Sequence, residues 1–180
     1  NVRIAVSQIS SKMREQCRFL GEVRYNDPNY ADLFADCIAR GPIDEAYAAL
    51  CPLHVVQNTR GVIIEEVVAD VLKVQLPDCT ITHLGGTSSY DIKCEVDSKN
   101  VYLSFLESKF GEDVTAIIES FVEPPKFEAK SSIIHSYSSH GGTFNIAFMN
   151  IDRSKFDKLF LGVCLPTSLE IFQHDGASGE

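Results

Sequence analysis

Apolar side chains fall at three- and four-residue steps along the first two dozen positions: Ile4, Val6, Ile9, Met13, Cys17 and Leu20. That spacing gathers them on one helical face, and Gly21 marks the predicted end. After the turn cluster Asn26-Asp27-Pro28-Asn29, residues 30–39 read as a second helix, capped by Asn29 and stopped by Arg40-Gly41-Pro42. Pro42 followed by Asp44 and Glu45 opens a third, which runs to about Leu50. Residues 1–57 therefore read as a helical region, suited to scaffolding or dimerisation.

The pattern then changes. Val62, Ile63, Ile64, Val67, Val68, Val71 and Leu72 wrap most of a cylinder, so residues 62–73 predict a helix buried against a sheet, ended by Pro77-Asp78. Residues 79–84 form a short strand candidate. Residues 90–96 alternate polar and apolar, as a half-buried strand does. The turn residues Asp97 to Asn100 separate them from the apolar run 101–106, so the two runs predict a hairpin. Residues 112–122 read as a helix ended by Pro124-Pro125. Residues 126–143 form a polar tract rich in Ser, His and Gly. Residues 144–149, 156–165 and 169–172 read as strands. The predicted fold is α/β: a mixed central sheet of about five strands flanked by helices over residues 58–180, preceded by the helical region, all in one compact domain.

Composition narrows the function classes. A length of 180 residues suits one domain with its own core. No apolar run reaches the roughly 18 residues of a membrane helix, so no membrane partner is expected. The six cysteines are scattered without a CxxC pair, which argues against a closely spaced zinc site and for a reducing, cytoplasmic compartment. A net charge of −9 argues against a nonspecific nucleic-acid coat. It leaves room for an enzyme that concentrates its Lys and Arg in one cleft.

The chemistry concentrates in the predicted hairpin. Asp91 stands at the start of its first strand, and the second ends in Glu107-Ser108-Lys109. Side chains two apart on a strand point the same way, so Glu107 and Lys109 share a face. For Asp91 to join them, the hairpin needs an odd loop or a bulge near Asp91. An acid followed across a hairpin by Glu-x-Lys resembles the PD-(D/E)XK nuclease superfamily of type II restriction endonucleases. The proline that usually precedes the acid is absent here, where Ser89 and Tyr90 stand instead. The helix before the acid strand resembles the family's first core helix, in which Gly-x-x-x-Glu often supplies another carboxylate. Gly61 and Glu65 have that spacing, with Glu66 as the exposed competitor.

The resemblance implies a restriction-endonuclease-like fold and a Mg²⁺-dependent cut of duplex DNA at a short site, leaving 5′-phosphate and 3′-hydroxyl ends. Asp91, Glu107 and Glu65 would be metal ligands and Lys109 would position the nucleophilic water. The enzyme would be a homodimer. Lys130, Ser132, Ser136, Tyr137, Ser138 and His140 are donors suited to bases or phosphates, and Arg153 and Lys155 to the phosphate backbone. The Gly85-Gly86 loop reads as a tight connection. His135 or His140 as a catalytic base has no Ser or Cys partner with a supporting acid in the sequence. Two alternatives stay open: a structure-directed repair or recombination nuclease of the same fold, and a non-catalytic binding protein whose acids are surface charge.

Overall fold

A computed structural model of the chain describes residues 2–40, 50–54, 57–77, 79–86, 88–96, 125–137 and 143–174. Eight strands and three helices lie within them: α1 (Val2–Gln16), β1 (Arg18–Arg24), α2 (Ala31–Arg40), α3 (Gln57–Gln75), β2 (Cys79–His83), β3 (Ile92–Val96), β4 (Lys126–Ile133), β5 (His135–Tyr137), β6 (Thr143–Asn145), β7 (Lys158–Cys164) and β8 (Ser168–His174). Six strands form one mixed sheet in the order β1-β8-β7-β4-β3-β2. Only the β4–β7 pair is parallel; every other neighbour is antiparallel. β5 and β6 form a separate two-stranded ribbon within the crossover from β4 to β7. The α/β class is as expected, but the sheet has six strands rather than about five.

The extra strand comes from the front of the chain. The first helical stretch, expected to end at Gly21, stops at Gln16, and Arg18–Arg24 pairs with β8 instead. Phe19 and Val23 are β-formers, and the ladder along β8 gives their backbone groups partners that a frayed helix end lacks. A bulge between Phe19 and Gly21 shifts the register. α1 keeps the expected helical face: Val6, Ile9 and Met13 pack on Leu159, Leu161, Val163 and Phe172. α2 falls within one residue of its expected start and end. The predicted helix over residues 112–122 lies outside the described residues, as does that over residues 42–50 except for Leu50.

Alternation splits the central strands between two cores. On β7, Phe160 and Cys164 face α3, while Leu159, Leu161 and Val163 face α1. α3 contributes Ile63, Ile64, Val67, Val68 and Leu72 to its core, all at helical spacing. Its apolar face is narrower than the sequence suggested, since Val62 is 48% exposed and Val74 79%. Phe34, Phe160 and Phe172 are fully buried, each worth about 1.5–3 kcal/mol by area removed from water. The helix approaches the sheet closely at Gly162, where an added Cβ would lie 2.5 Å from Ile64 Cγ2.

β4 is the second correction. Residues 126–143 were expected to be a polar tract, yet Lys126–Ile133 is an interior strand of the sheet, between β3 and β7. Phe127, Ala129 and Ile133 alternate into the α3 core. Lys126, Glu128, Lys130 and Ser132 occupy the opposite face. No helix among the described residues is long and apolar enough to cross a membrane, and all six cysteines are free thiols.

Candidate functional site

The β3–β4 ladder is short. It pairs Ile92 with Phe127 and Lys93 with Lys126. Beyond Ile92 the pairing is irregular, because Asp91 N–H reaches back to the Phe127 carbonyl. The Asp91 side chain meets that of Glu128, which lies on the sheet face away from α3. Lys130, two positions on, joins that face. The backbone locks Asp91 in place. Its N–H donates to the Phe127 carbonyl at 3.1 Å, and its carbonyl accepts from Leu84 N–H at 2.9 Å. Its side-chain Oδ2 accepts from Ala129 N–H at 2.7 Å. Where the ladder stops, the aspartate thus serves as the acceptor a strand neighbour would otherwise supply.

Electrostatics mark this spot. Burial pushes the Asp91 carboxyl above its usual range, and the Glu65 charge adds to the rise against the Ala129 N–H and Lys130. Burial likewise raises the Glu128 carboxyl, opposed by its hydrogen bond to Lys130 and assisted by the Asp91 charge. The two carboxyls are close enough to hydrogen-bond to one another. Lys130 Nζ ion-pairs with Glu128 Oε1. The Glu128 side chain is only 12% exposed. Glu65 reaches the site from α3 and pairs its Oε2 with His83 Nε2 at 2.8 Å. Its Oε1 lies over Gly61, where a Cβ would stand 3.9 Å away.

The structure therefore brings Asp91 and Glu65 into one neighbourhood, as the sequence suggested. Glu107 and Lys109, the expected second half of the triplet, lie outside the described residues. Another Glu-x-Lys, Glu128-Ala129-Lys130, stands across from Asp91. Lys130, expected on DNA, is here the partner of Glu128. Ser132 is not available to a substrate: it is buried, and its hydroxyl donates to Ala147 O at 2.8 Å. Ser136 and Tyr137 lie on β5, while Ser138 and His140 lie outside the described residues. Arg153 and Lys155 are exposed on the loop before β7, with Lys155 Nζ 3.5 Å from Asp152 Oδ2. Burial lowers the His135 pKa, helped by the charges of Arg60 and His54.

Glu128 and His83 escaped the sequence reading. The available signal was alternation: Phe127, Ala129 and Ile133 mark Lys126–Ile133 as a strand carrying Glu-x-Lys on its other face. Nothing local in the sequence pairs His83 with Glu65, which lies on a different element.

Among the described residues, no three His, Cys, Asp or Glu side chains form a ready-made metal cage. The donor set nevertheless fits Mg²⁺, which favours oxygen ligands and keeps several waters, so that one or two carboxylates suffice. Asp91 and Glu128 each have one oxygen on a protein donor, and their carboxyls lie close enough to share a cation. Burial raises both carboxyls, with the Glu65 charge adding at Asp91 and the Asp91 charge at Glu128, a cost that a cation would offset. No protein-family model matches the chain, and neither the curated proteins nor the solved structures contain a match to it.

Proposed function

We propose that the chain is a Mg²⁺-dependent endodeoxyribonuclease of the PD-(D/E)XK kind, with its catalytic core at Asp91, Glu128 and Lys130. The observation that carries the reading is the meeting of the Asp91 and Glu128 carboxyls where β3 leaves β4, with Lys130 ion-paired to Glu128. Supporting it, α3 with Glu65 precedes the acid strand, in the order the family resemblance implies.

Phosphodiester hydrolysis needs a water aimed at phosphorus and positive charge near the oxygens that gain negative charge. Asp91 and Glu128 would hold Mg²⁺, which polarises the phosphate and lowers the pKa of bound water. The Lys130 ammonium would donate to the attacking water or to a phosphate oxygen, where its charge stabilises the transition state. Glu65, steadied by His83, would hold an outer-shell water. Asp91 is held by backbone hydrogen bonds on three sides, so little reorganisation accompanies the reaction. The substrate would be duplex DNA, cut at a short site by a homodimer to leave 5′-phosphate and 3′-hydroxyl ends.

Supercoiled plasmid incubated with the protein tests this. Nicked or linear DNA should form with Mg²⁺ and not with EDTA, and Asp91→Ala should abolish it. Linear products should be rejoined by DNA ligase without prior phosphorylation. Cleavage that persists unchanged in Asp91→Ala would refute the assignment.

A further inference from the structure

Beside the carboxylates, Lys93 of β3 stands directly opposite Lys126 of β4. Like charges directly opposed across a ladder are destabilising. The β3–β4 ladder has only two pairs, and one of them places two lysines side by side. Lys93 and Lys126 lie on the face that carries Asp91, Glu128 and Lys130, away from the α3 core. Each is two residues from a proposed catalytic carboxylate, about 6.6–6.8 Å along its strand. Lys93 draws partial compensation from Glu95 at 2.7 Å, and its side chain stays 32% exposed.

A third source of positive charge is tied to the same place. Asp157 Oδ2 accepts from Lys126 N–H at 2.8 Å, and Asp157 N–H donates to Lys126 O at 2.8 Å. This two-point clip fastens the loop bearing Arg153 and Lys155 to the start of β4. On this face of the sheet, then, carboxylates suited to a cation adjoin lysines suited to an anion.

Building on the nuclease reading, we propose that Lys93 and Lys126 form a phosphate subsite that grips the backbone phosphate next to the one being cut. The lysine pair and the carboxylate pair lie one same-face step apart on the strands, a reach comparable to the step between neighbouring phosphates of a nucleic-acid strand. A phosphate placed over the pair can accept from both ammonium groups. The subsite carries no base information; it sets the position of the strand over Asp91 and Glu128.

Salt-dependent binding of a duplex oligonucleotide in EDTA, where cleavage is blocked, tests the subsite apart from catalysis. The variant K93Q/K126Q should flatten the slope of log K against log salt by about 0.9, the value for the one phosphate the pair grips, with each single variant giving part of it. The control K12Q/K73Q removes the same net charge from α1 and α3 and should leave the slope unchanged. Thermal unfolding should show K93Q/K126Q folded and no less stable than the parent. A slope unaffected by K93Q/K126Q, an equal loss in the control, or no binding by the parent would overturn the proposal. Plasmid cleavage in Mg²⁺ by the parent separates the two readings. A flattened slope without cleavage keeps the subsite and rejects the nuclease, and cleavage with an unaltered slope does the reverse.

Discussion

The Ala129 backbone N–H donates to Asp91 Oδ2 at 2.7 Å, so the acid proposed to hold the metal is also part of the sheet's hydrogen bonding. An asparagine at this position can keep that bond through its side-chain oxygen while removing the charge that burial and Glu65 oppose. Asp91→Asn should therefore abolish cleavage and raise the thermal midpoint in EDTA by a few degrees, the shift that about 1 kcal/mol produces in a domain of this size. Differential scanning calorimetry in EDTA, paired with the plasmid assay, checks both halves. A lowered midpoint would show that the ionised carboxylate stabilises the fold.

Glu65 is oriented by His83 at 2.8 Å. His83→Ala should raise the Mg²⁺ concentration for half-maximal cleavage by less than about 10-fold, since partners of direct ligands set the upper scale of about 10–100-fold and Glu65 holds only an outer-shell water. His83→Gln retains a donor and should recover most of the loss. Equal damage from both substitutions would mean that ring packing, not the hydrogen bond, matters.

How much of this was legible in advance depends on whether the signal was local. The helical face of Val6, Ile9 and Met13, the buried face of α3, the Gly61–Glu65 spacing and the strand after Asp91 all express themselves within a few residues, and all recur in the structure. Arg18–Arg24 did not, because its strand character comes from pairing with β8, about 150 residues away in sequence. The Glu-x-Lys across from Asp91 was hidden for a related reason. Two such motifs follow Asp91, and proximity in sequence favoured Glu107-Ser108-Lys109. Only the pairing of β4 beside β3 brings Glu128 to the aspartate. The serines and histidines that follow lent the segment a loop-like composition, which masked the alternation of Phe127, Ala129 and Ile133.

Gly162 marks the closest approach of sheet and helix. A Cβ there would meet Ile64 Cγ2 at 2.5 Å, and a β-branched side chain in a full core has no free rotamer to yield. Gly162→Ala should cost about 1–3 kcal/mol in urea unfolding. Combined with Ile64→Ala, the loss should be smaller than the two single losses added together. Full additivity would place the strain elsewhere.

Tyr30 donates its hydroxyl to Asp70 Oδ2 at 3.0 Å. Burial and that bond push its pKa up to about 12 from 10.0. The folded state thus prefers the neutral phenol. Its contribution to stability is complete below pH 10 and is lost as the pH rises through about 12. The stability gap between the parent and Tyr30→Phe should be constant up to about pH 9 and shrink between pH 10 and 12. Denaturant melts across that range check it; a gap that widens with pH would contradict the assignment.

The most direct measurement compares the two Glu-x-Lys motifs in one assay. Plasmid cleavage in Mg²⁺ is followed for Glu128→Ala and Lys130→Ala beside Glu107→Ala and Lys109→Ala, with circular dichroism on each. The meeting of the Glu128 and Asp91 carboxyls predicts that the first two lose cleavage by about 10²-fold or more while staying folded, and that the second two cut like the parent. Folded Glu128→Ala and Lys130→Ala proteins that cut normally, with activity lost in the Glu107 and Lys109 variants, would contradict it.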